Sequence, residues 1–500
     1  MEPRQELNFE LVIIGGGVSA SFLCLDILKK DPSFKILVIE NSIEFPQKIG
    51  ESVVDMTALI LEEKGIGHLL SSQTKKSGIR FLFNERNSED RSDIAEFASP
   101  TFPGRINAYH LDRKRLDQDL LDEVEKKGVT VFRPAEIIFF ERGNGSNKVH
   151  VSFLKNEFHI TTPWVVDASG RSRVLSKLLH WKDLPIQLQT GSIMAHFKHI
   201  QPNEKWDTPE NVFWDSNAIA LRKFSTTHLM RPNSWWWIIR LDDITTSIGV
   251  MFDKQKIHFD SAEEYFRQLI EQDPELSRMT SGAVMSSIRH IEQVPYVSEK
   301  LVEQGVALIG DSGAFLDPLF SPGLELIGQQ SLWLSDLLVQ EKVKGRYNQR
   351  GWEKYASSFQ KAYETRLLMY RYAYGLMGSY DLFTAWTKLG NFVYIGTVVY
   401  PSVVFKAKRK MPLRFSFMER LGVNVIGTRL NRIYEKRKKH GRVSVTKTNH
   451  LEYSGVRVPK DKRFVIIPFV LLFKAVRGYL SLERSELFSS LKSIQKRTKG

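Results

Sequence analysis

The sequence predicts an α/β fold in which a Rossmann-type dinucleotide-binding domain carries an inserted β-sheet domain. A buried strand, a glycine turn, a helix and a second buried strand follow one another at the N-terminus, which is the order of a dinucleotide-binding unit. Alternating strand patterns then fill residues 187–297. A further apolar strand over residues 306–309 returns to the first pattern. We therefore expect the first domain to be discontinuous.

The N-terminal unit carries the strongest local signal. Leu11–Ile14 is a continuous apolar run, typical of a parallel strand that is buried on both faces. Gly15, Gly17 and Ala20 follow it with the spacing of a turn that approaches a pyrophosphate closely and opens a helix. Glu40 ends the next apolar strand, where a carboxylate accepts hydrogen bonds from a ribose diol. This pattern predicts a nucleotide site.

A second glycine–acid pair follows a buried strand far along the chain. Gly310 and Asp311 come directly after residues 306–309, and an Asp at such a strand end can hold the hydroxyls of a flavin. Here the sequence resembles the FAD-dependent oxidoreductases of the p-hydroxybenzoate hydroxylase type, at residues 15–20, 40, 112–113, 167–170 and 310–311. The resemblance implies FAD as the cofactor, with Arg113 and Asp311 among its contacts. No second nucleotide motif exists for NAD(P)H, so we expect the reducing equivalents to come from a separate flavin reductase, which would supply reduced FAD, or from a nicotinamide that binds only transiently.

Three further stretches narrow the resemblance to the flavin-dependent halogenases. Ser234–Arg240 is similar to their W-x-W-x-I-P motif, with matches at Trp235, Trp237 and Ile239. Residues 315–323 match their F-x-x-P-x-x-S-x-G signature, and residues 76–81 resemble the segment of their active-site lysine. Taken singly, the tryptophans also suit sheet packing and a lysine also suits a solvated surface.

The halogenase resemblance implies a set of roles. Reduced FAD, O2 and halide together yield hypohalous acid, which a lysine, here Lys76, directs to an electron-rich ring. Ser321 and Gly323 would hold the halide beside the flavin. The turn that precedes the lysine segment, which is Gly50, Glu51 and Ser52, would contact FAD. The residues that would shield the substrate from the flavin are Trp235, Trp237, Ile239 and Phe320.

Three departures from the family pattern keep other functions open. Pro322 has no N–H for a halide, Phe320 replaces a glutamate that pairs with the lysine in tryptophan halogenases, and Arg240 replaces the proline of W-x-W-x-I-P. These changes argue against free tryptophan as substrate and favour a phenolic ring, lipidic or carrier-bound. The alternatives are a halogenase-like monooxygenase or reductase for a hydrophobic substrate, similar to geranylgeranyl reductases, and a non-catalytic flavin-binding protein at a membrane surface.

The amino-acid composition excludes several classes of protein. With 500 residues, 42% of them apolar and 26% charged, the chain is unlike a disordered, collagen-like or multi-span membrane protein. Its single cysteine, Cys24, excludes an intrachain disulfide framework and a cysteine-based metal site, and we expect no bound metal. The first ten residues lack a secretion signal. We therefore expect a cytoplasmic enzyme with domains at 1–186 plus 298–377, 187–297 and 378–500.

The positive charge is concentrated at the C-terminal end. Residues 401–500 contain 25 Lys and Arg against 6 Asp and Glu, whereas the whole chain has a net charge of +14. We expect this region to be mainly helical. The basic clusters at 406–410 and 436–439 fit a solvated surface, an anionic membrane surface or an acidic acyl carrier protein; the apolar runs beside them are too short to span a bilayer. No nucleic-acid-binding module accompanies the charge, and we expect no nucleic acid partner.

Overall fold

A computed structural model describes residues 5–84, 94–100, 108–143, 145–202, 222–394, 417–440 and 451–453 of the chain. These residues form the mixed α/β fold that the sequence predicts. Two sheets dominate it: a parallel sheet that carries the glycine turns, and a larger, mostly antiparallel sheet.

The strands are numbered in chain order. They are β1 (Gln5–Asn8), β2 (Leu11–Ile14), β3 (Ile36–Ile39), β4 (Thr74–Lys76), β5 (Gly78–Asn84), β6 (Ile94–Pro100), β7 (Ala108–His110), β8 (Thr130–Phe132), β9 (Ala135–Glu141), β10 (Asn147–Phe153), β11 (Asn156–Thr162), β12 (Val165–Asp167), β13 (Thr190–Lys198), β14 (Thr226–Arg231), β15 (Ser234–Arg240), β16 (Thr245–Asp253), β17 (Val284–Met285), β18 (Arg289–Ile291), β19 (Tyr296–Val297), β20 (Val302–Glu303), β21 (Val306–Leu308), β22 (Ala314–Phe315) and β23 (Leu451–Tyr453).

The α-helices are numbered in the same way. They are α1 (Val18–Lys30), α2 (Asp55–Glu63), α3 (Arg113–Lys126), α4 (Val174–Leu178), α5 (Ala262–Gln272), α6 (Pro274–Thr280), α7 (Gly323–Lys344), α8 (Gln349–Tyr374), α9 (Tyr380–Tyr394) and α10 (Phe417–Lys439).

The six-stranded sheet has the order β20-β21-β12-β2-β3-β8, and all of its pairs are parallel except β20 with β21. Helices α1 and α7 pack together beside it, and α1 also packs on α3. The strands β2 and β3 are buried along their whole length, as expected for a sheet that is covered on both faces. The carboxyl ends of β2, β3, β12 and β21 meet at one edge, which is where α/β sheets bind ligands.

The second sheet has nine strands, in the order β17-β13-β16-β15-β14-β5-β6-β23, with β18 also paired to β13. Most of it comes from residues 187–297, as predicted. It also includes β5 and β6 from an earlier part of the chain and β23 from a later one. The division of the chain into domains at 186 and 298 stays a prediction.

Strand β15 shows why this sheet faces the cavity described below. Trp235, Trp237 and Ile239 alternate along it and line that cavity, because side chains two apart share a face of a strand. The intervening Trp236 packs on Phe266 of α5, with 5.5 Å between the ring centroids. One face of β15 is therefore a layer of the core and the other is a wall of the site.

The C-terminal part that the structure describes consists of helices α9 and α10 and the short strand β23. Helix α10 packs on α8 and α9, and its last turn carries Lys436, Arg437, Lys438 and Lys439. Arg437 is buried and pairs with Asp381 at 2.7 Å. The basic cluster at 406–410 and the apolar run at 464–473 lie outside the described residues. None of the helices in the described ranges is long and apolar enough to cross a membrane.

Candidate active site

A cavity of about 890 Å³ lies between the edge of the parallel sheet and the nine-stranded sheet, within the size range of ligand sites. Thirteen of the sixteen predicted site residues line it: Gly15, Gly17, Glu40, Gly50, Glu51, Ser52, Arg113, Trp235, Trp237, Ile239, Asp311, Ser321 and Gly323. The other three are Ala20, Lys76 and Phe320. The structure therefore gathers segments that are distant in sequence around one space.

The glycine turn is shaped by a close approach of two backbones. Gly15 has φ +96°, and a Cβ at this position would lie 2.7 Å from the carbonyl oxygen of Ala168, so only glycine fits. Helix α1 begins at Val18, and its first intrahelical bond in this turn runs from Ser21 N–H to Gly17 O at 3.1 Å. The N–H groups of the first helical turn can thus receive an anion. Ala20 is buried within α1.

Glu40 is fixed by the same turn. Its Oε2 accepts a hydrogen bond from Gly16 N–H at 2.7 Å, and its Oε1 accepts one from Ser42 N–H at 2.8 Å. Each carboxylate oxygen has lone pairs left for a further donor. A carboxylate held in this way at the end of β3 suits the ribose diol of a dinucleotide.

Arg113 anchors the loop opposite the glycine turn. Its guanidinium is buried, pairs with Asp117 at 3.1 Å, and donates to the carbonyl oxygens of Ile49 and Gly50 at 3.2 and 3.4 Å. Gly50 has φ +101°, and a Cβ there would lie 2.6 Å from Arg113 Nη1. Lys48 pairs with the same Asp117 at 3.0 Å. Arg113, at the start of α3, and Lys48, in the loop, thus hold the loop against α3.

The acidic residue after β21 also faces this end of the cavity. Burial raises the pKa of the Asp311 carboxyl, and Arg113, Arg171 and Lys48 act in the opposite direction. A polar ligand that donates hydrogen bonds would satisfy this carboxyl. The glycine turn, Glu40 and Asp311 thus provide the donor and acceptor set that a flavin dinucleotide requires, and the cofactor end fits FAD.

Lys76 is 4% exposed, which is unusual for a lysine. Its Nζ donates to Ser52 Oγ at 2.9 Å and lies 3.4 Å from Val53 O. Ser52 lines the cavity and Lys76 lies behind it. Strand β4 places the lysine there because it pairs with β7, with Lys76 opposite Ala108.

Three residues that sequence reasoning missed surround this lysine. Thr226 Oγ1 lies 2.7 Å from Ser52 Oγ and 3.0 Å from His110 Nε2. Burial, with the nearby charge of Lys76 as the second cause, lowers the pKa of His110 to about 3, and the same two causes lower the pKa of His228 to about 3. Both imidazoles are therefore neutral at neutral pH. The only signal for His110 is its position just ahead of the Asp112–Arg113 motif.

Buried hydrogen bonds fix the tryptophan wall. Trp235 Nε1 donates to Tyr374 OH at 3.0 Å, and Trp237 Nε1 donates to Ser247 Oγ at 3.1 Å. Tyr374 OH in turn donates to Asp317 Oδ2 at 2.7 Å, and burial raises the pKa of Asp317 to about 6. Asp317 lies within the predicted 315–323 signature but was not predicted to act. The two indoles are held rigidly beside the cavity.

The predicted halide turn has fewer donors than the resemblance implies. Ser321 has φ +52°, and its N–H donates to Pro318 O at 2.8 Å, so its hydroxyl is the group that it can offer to an anion. Gly323 begins α7 and lines the cavity. Phe320 does not line the cavity; it packs on Tyr370, with 5.4 Å between ring centroids. The halide and shielding roles stay predictions.

The fold and this cavity define a Rossmann-type oxidoreductase with a site for a flavin dinucleotide. The chain belongs to the tryptophan halogenase family, whose model matches residues 84–374, more than half of its length.

Curated relatives agree with this membership. The chain is 25% identical over 338 residues to the 1H-pyrrole-2-carbonyl-[peptidyl-carrier protein] chlorinase of Pseudomonas fluorescens, covering 64% of this chain and 73% of that protein. It is also 25% identical over 355 residues to the tetracycline 7-halogenase of Kitasatospora aureofaciens, covering 63% and 60%. The chain thus aligns with well under the full length of these relatives.

Solved structures share the fold. The halogenase PltM superposes with a TM-score of 0.73 at 15% identity, covering 95% of this chain and 96% of that one. The flavin-dependent brominase Bmp2 gives a TM-score of 0.64 at 19% identity, covering 86% and 100%. The predicted family, fold class and FAD cofactor are thereby confirmed.

Proposed function

We propose that this protein uses reduced FAD, O2 and halide to halogenate a phenolic or similarly electron-rich aromatic ring, and that Lys76 directs the oxidant. One observation carries the proposal: a buried lysine donates to Ser52 in the wall of the cavity that also holds the predicted FAD residues. A buried ammonium beside a flavin site has no role in binding FAD phosphates, which the glycine turn and α1 serve. It suits the capture of an oxidant that is formed nearby.

The residues at the cofactor end divide the binding of FAD among them. The N–H groups at the start of α1 would receive the pyrophosphate, Glu40 would accept hydrogen bonds from the ribose hydroxyls, and Asp311 would accept them from other hydroxyls of the cofactor. When bound, reduced FAD supplies the electrons that turn O2 and halide into hypohalous acid. Arg113 acts at one remove, because it fixes the carbonyl groups of Ile49 and Gly50 and with them the loop that leads to Ser52.

Lys76 supplies what free hypohalous acid lacks, which is a fixed position. An ammonium donates hydrogen bonds without accepting any, so it can hold the oxygen of the oxidant while the halogen faces the ring. Because Lys76 is buried, few water molecules compete for those hydrogen bonds. The lysine therefore converts a diffusible oxidant into a directed one.

The apolar walls of the cavity favour a flat apolar substrate. Trp235, Trp237, Ile239, Met251 and Val294 form an apolar part of the cavity lining. Aromatic rings pack well on fixed indoles. A phenol fits this environment because its ring is activated by its own oxygen and needs no carboxylate next to the lysine.

We further propose that the substrate arrives on an acidic carrier protein that docks on the basic C-terminal region. The pyrrole chlorinase named above acts on a ring carried by a peptidyl-carrier protein, and the last turn of α10 presents Lys436, Lys438 and Lys439 at the surface. Charge complementarity accelerates such encounters. An anionic membrane surface is the competing occupant, and a comparison of carrier-bound substrate with vesicle binding separates the two.

The experiment that tests the proposed function combines the purified protein with FAD, NADH, a separate flavin reductase and bromide. Phenols, indoles and alkylresorcinols are offered both free and on an acyl carrier protein, and mass spectrometry detects the bromine isotope pair. We expect a brominated phenolic product that requires bromide. A product that gains only oxygen would place the protein with the monooxygenases, and a product that loses a double bond would place it with the reductases.

A further inference from the structure

At the cavity wall, four side chains from separate segments form a continuous hydrogen-bond chain, of which Ser52 and Thr226 line the cavity. Lys76 Nζ lies 2.9 Å from Ser52 Oγ, which lies 2.7 Å from Thr226 Oγ1, which lies 3.0 Å from His110 Nε2. The other ring nitrogen, His110 Nδ1, lies 2.8 Å from the carbonyl oxygen of Arg240. All four side chains are buried.

The direction of every hydrogen bond in this chain follows from its last member. A carbonyl oxygen only accepts, so His110 Nδ1 carries the proton that it donates to Arg240 O. Burial keeps the ring neutral, so Nε2 is bare and accepts from the Thr226 hydroxyl. Thr226 must then accept from the Ser52 hydroxyl, and Ser52 must accept from Lys76. No member can be reversed unless another loses its partner, which is costly when both are buried.

We propose that His110 and Thr226 are positioning residues for Lys76. They fix the direction of the hydrogen-bond chain, so that Ser52 always accepts from the lysine ammonium. This inference rests on the proposed function. A Ser52 hydroxyl that turned its proton toward Nζ would face a group that cannot accept while it is protonated. The lysine would then lose its hydrogen bond to the cavity wall at Ser52 and hold the oxidant less well.

The geometry also explains why the last side chain of the hydrogen-bond chain is a histidine. A neutral imidazole joins a backbone carbonyl on one side to a hydroxyl on the other, which neither an aliphatic residue nor a protonated lysine can do. The ring adds no second positive charge next to Lys76 while it stays neutral. It thus orients the chain and leaves Lys76 as the cation of the pair.

The kinetic test uses Thr226→Val, which removes the hydroxyl at nearly constant volume, and Thr226→Ser, which restores it. Thr227→Val is the matched control, because Thr227 is the next residue of β14 and accepts from Arg80 instead. A soluble 1,3-diketone that traps hypohalous acid is included, and the product is measured against the halogen found in the trap. This ratio reports how well the oxidant is directed and does not depend on how fast it is formed.

We expect the product-to-trap ratio of Thr226→Val to fall by about 10-fold, the equivalent of one lost buried hydrogen bond, while the sum of product and trapped halogen stays within about 2-fold of the wild type. Thr226→Ser should recover most of the ratio, and Thr227→Val should keep the wild-type ratio. A Thr226→Val protein that folds and keeps the wild-type ratio would overturn the proposal.

A spectroscopic measurement tests the chain without any turnover. Long-range ¹H–¹⁵N spectra of protein labelled at histidine, with the His110 signals assigned from a His110→Gln variant, show which ring nitrogen is protonated. We expect a protonated Nδ1 and a bare Nε2 at neutral pH; a protonated Nε2 would overturn the proposal. Absence of any halogenated product from the wild type would instead count against the proposed function. The spectrum would still show whether the hydrogen bonds run in the proposed direction.

Discussion

The cofactor end and the lysine end of the cavity are formed by different kinds of chemical group. Around the glycine turn, the main components are backbone conformation and N–H groups at the ends of four parallel strands, and a Cβ at Gly15 has no room. Around Lys76 the components are side chains from four separate segments, joined by hydrogen bonds away from water. Shape thus governs one end, and charge and hydrogen-bond direction govern the other.

This difference has consequences for how each end fails. The backbone part of the cofactor end is sensitive to added atoms and insensitive to pH, because N–H and C=O groups do not titrate, although Glu40 and Asp311 at the same end can. A site built from buried ionisable side chains responds to pH and to the loss of single polar atoms, which leave their partners unsatisfied. The following predictions separate the two behaviours, beginning with the largest expected effect.

Acid should destabilise the protein through the lysine end. The pKa values of His110 and His228 are about 3 in the folded chain, against 6.5 for an ordinary histidine. Below pH 6.5 the unfolded chain takes up protons that the folded chain refuses, so stability is fully present above that pH and is lost as the pH falls toward 3. The loss reaches at most about 5 kcal/mol per imidazole.

Urea unfolding between about pH 7.5 and about pH 5 measures this effect. His228→Phe keeps the stacking on Phe81, whose ring centroid is 4.7 Å away, and should lower the pH dependence by about half, because one of the two imidazoles is removed. His258→Gln, at an exposed position, is the control and should leave the dependence unchanged. An unchanged dependence in His228→Phe would contradict this account of the lysine end.

Gly15→Ala should destabilise the cofactor end by about 3 kcal/mol or more, because it combines a left-handed conformation with a backbone clash. Gly17→Ala is the matched comparison: φ is −76°, and the added Cβ would lie 3.4 Å from the flexible Lys48 amino group. Its effect on the free energy of unfolding should stay below about 1 kcal/mol. Equal losses in both variants, measured by urea unfolding, would show that backbone shape does not govern this end.

Arg113→Lys should weaken FAD binding by about 10-fold, the equivalent of one lost hydrogen bond from a charged group, while leaving a positive charge in place. A lysine cannot reach Asp117 and the carbonyl groups of Ile49 and Gly50 together, because it lacks the planar fork of arginine. Arg115→Lys is the control, since Arg115 is exposed on the same helix and lies 3.7 Å from Asp119. Fluorescence titration with FAD measures the affinity of both variants. An unchanged affinity in Arg113→Lys would show that the contacts of Arg113 with the loop do not support FAD binding.

The smallest expected effect concerns the halide. Pro322→Ala adds an N–H beside Gly323 and should lower the halide KM by about 3-fold, in keeping with one added hydrogen bond at a partly exposed site. Pro274→Ala adds an N–H at the start of α6, where no site is predicted, and should leave the KM unchanged. If Pro322→Ala also leaves the KM unchanged, the halide does not bind at this turn.

The same difference between the two ends explains what could be predicted from the sequence. Gly15, Glu40, Gly310 and Asp311 each follow a short apolar strand, so their meeting at one edge follows from the parallel sheet alone. The prediction for Lys76 depends on family resemblance, because residues 76–81 form a recognisable segment, and its catalytic role stays a prediction. Local sequence patterns are thus sufficient to predict a site residue when it directly follows a buried strand of the parallel sheet.

The partners of Lys76 have no such local signal. Thr226 begins β14, which pairs antiparallel with β15 and parallel with β5. Its meeting with Ser52 depends on the parallel pairing, which brings distant segments together. His110 reaches the site through a bridge between Ser52 and His110. The participation of β5 and β6 in the larger sheet was missed for the same reason, since strand pairing is not visible in one strand's own residues.

The most direct test of the central claim compares Lys76→Ala with Lys75→Ala, the exposed neighbour on β4, in the bromide assay with the hypohalous acid trap. We predict that Lys76→Ala lowers brominated product by at least about 100-fold while reduced FAD is still oxidised and trapped halogen rises, and that Lys75→Ala matches the wild type. A Lys76→Ala protein that brominates its substrate at the wild-type rate would contradict the account, because the oxidant would then reach the ring without the lysine.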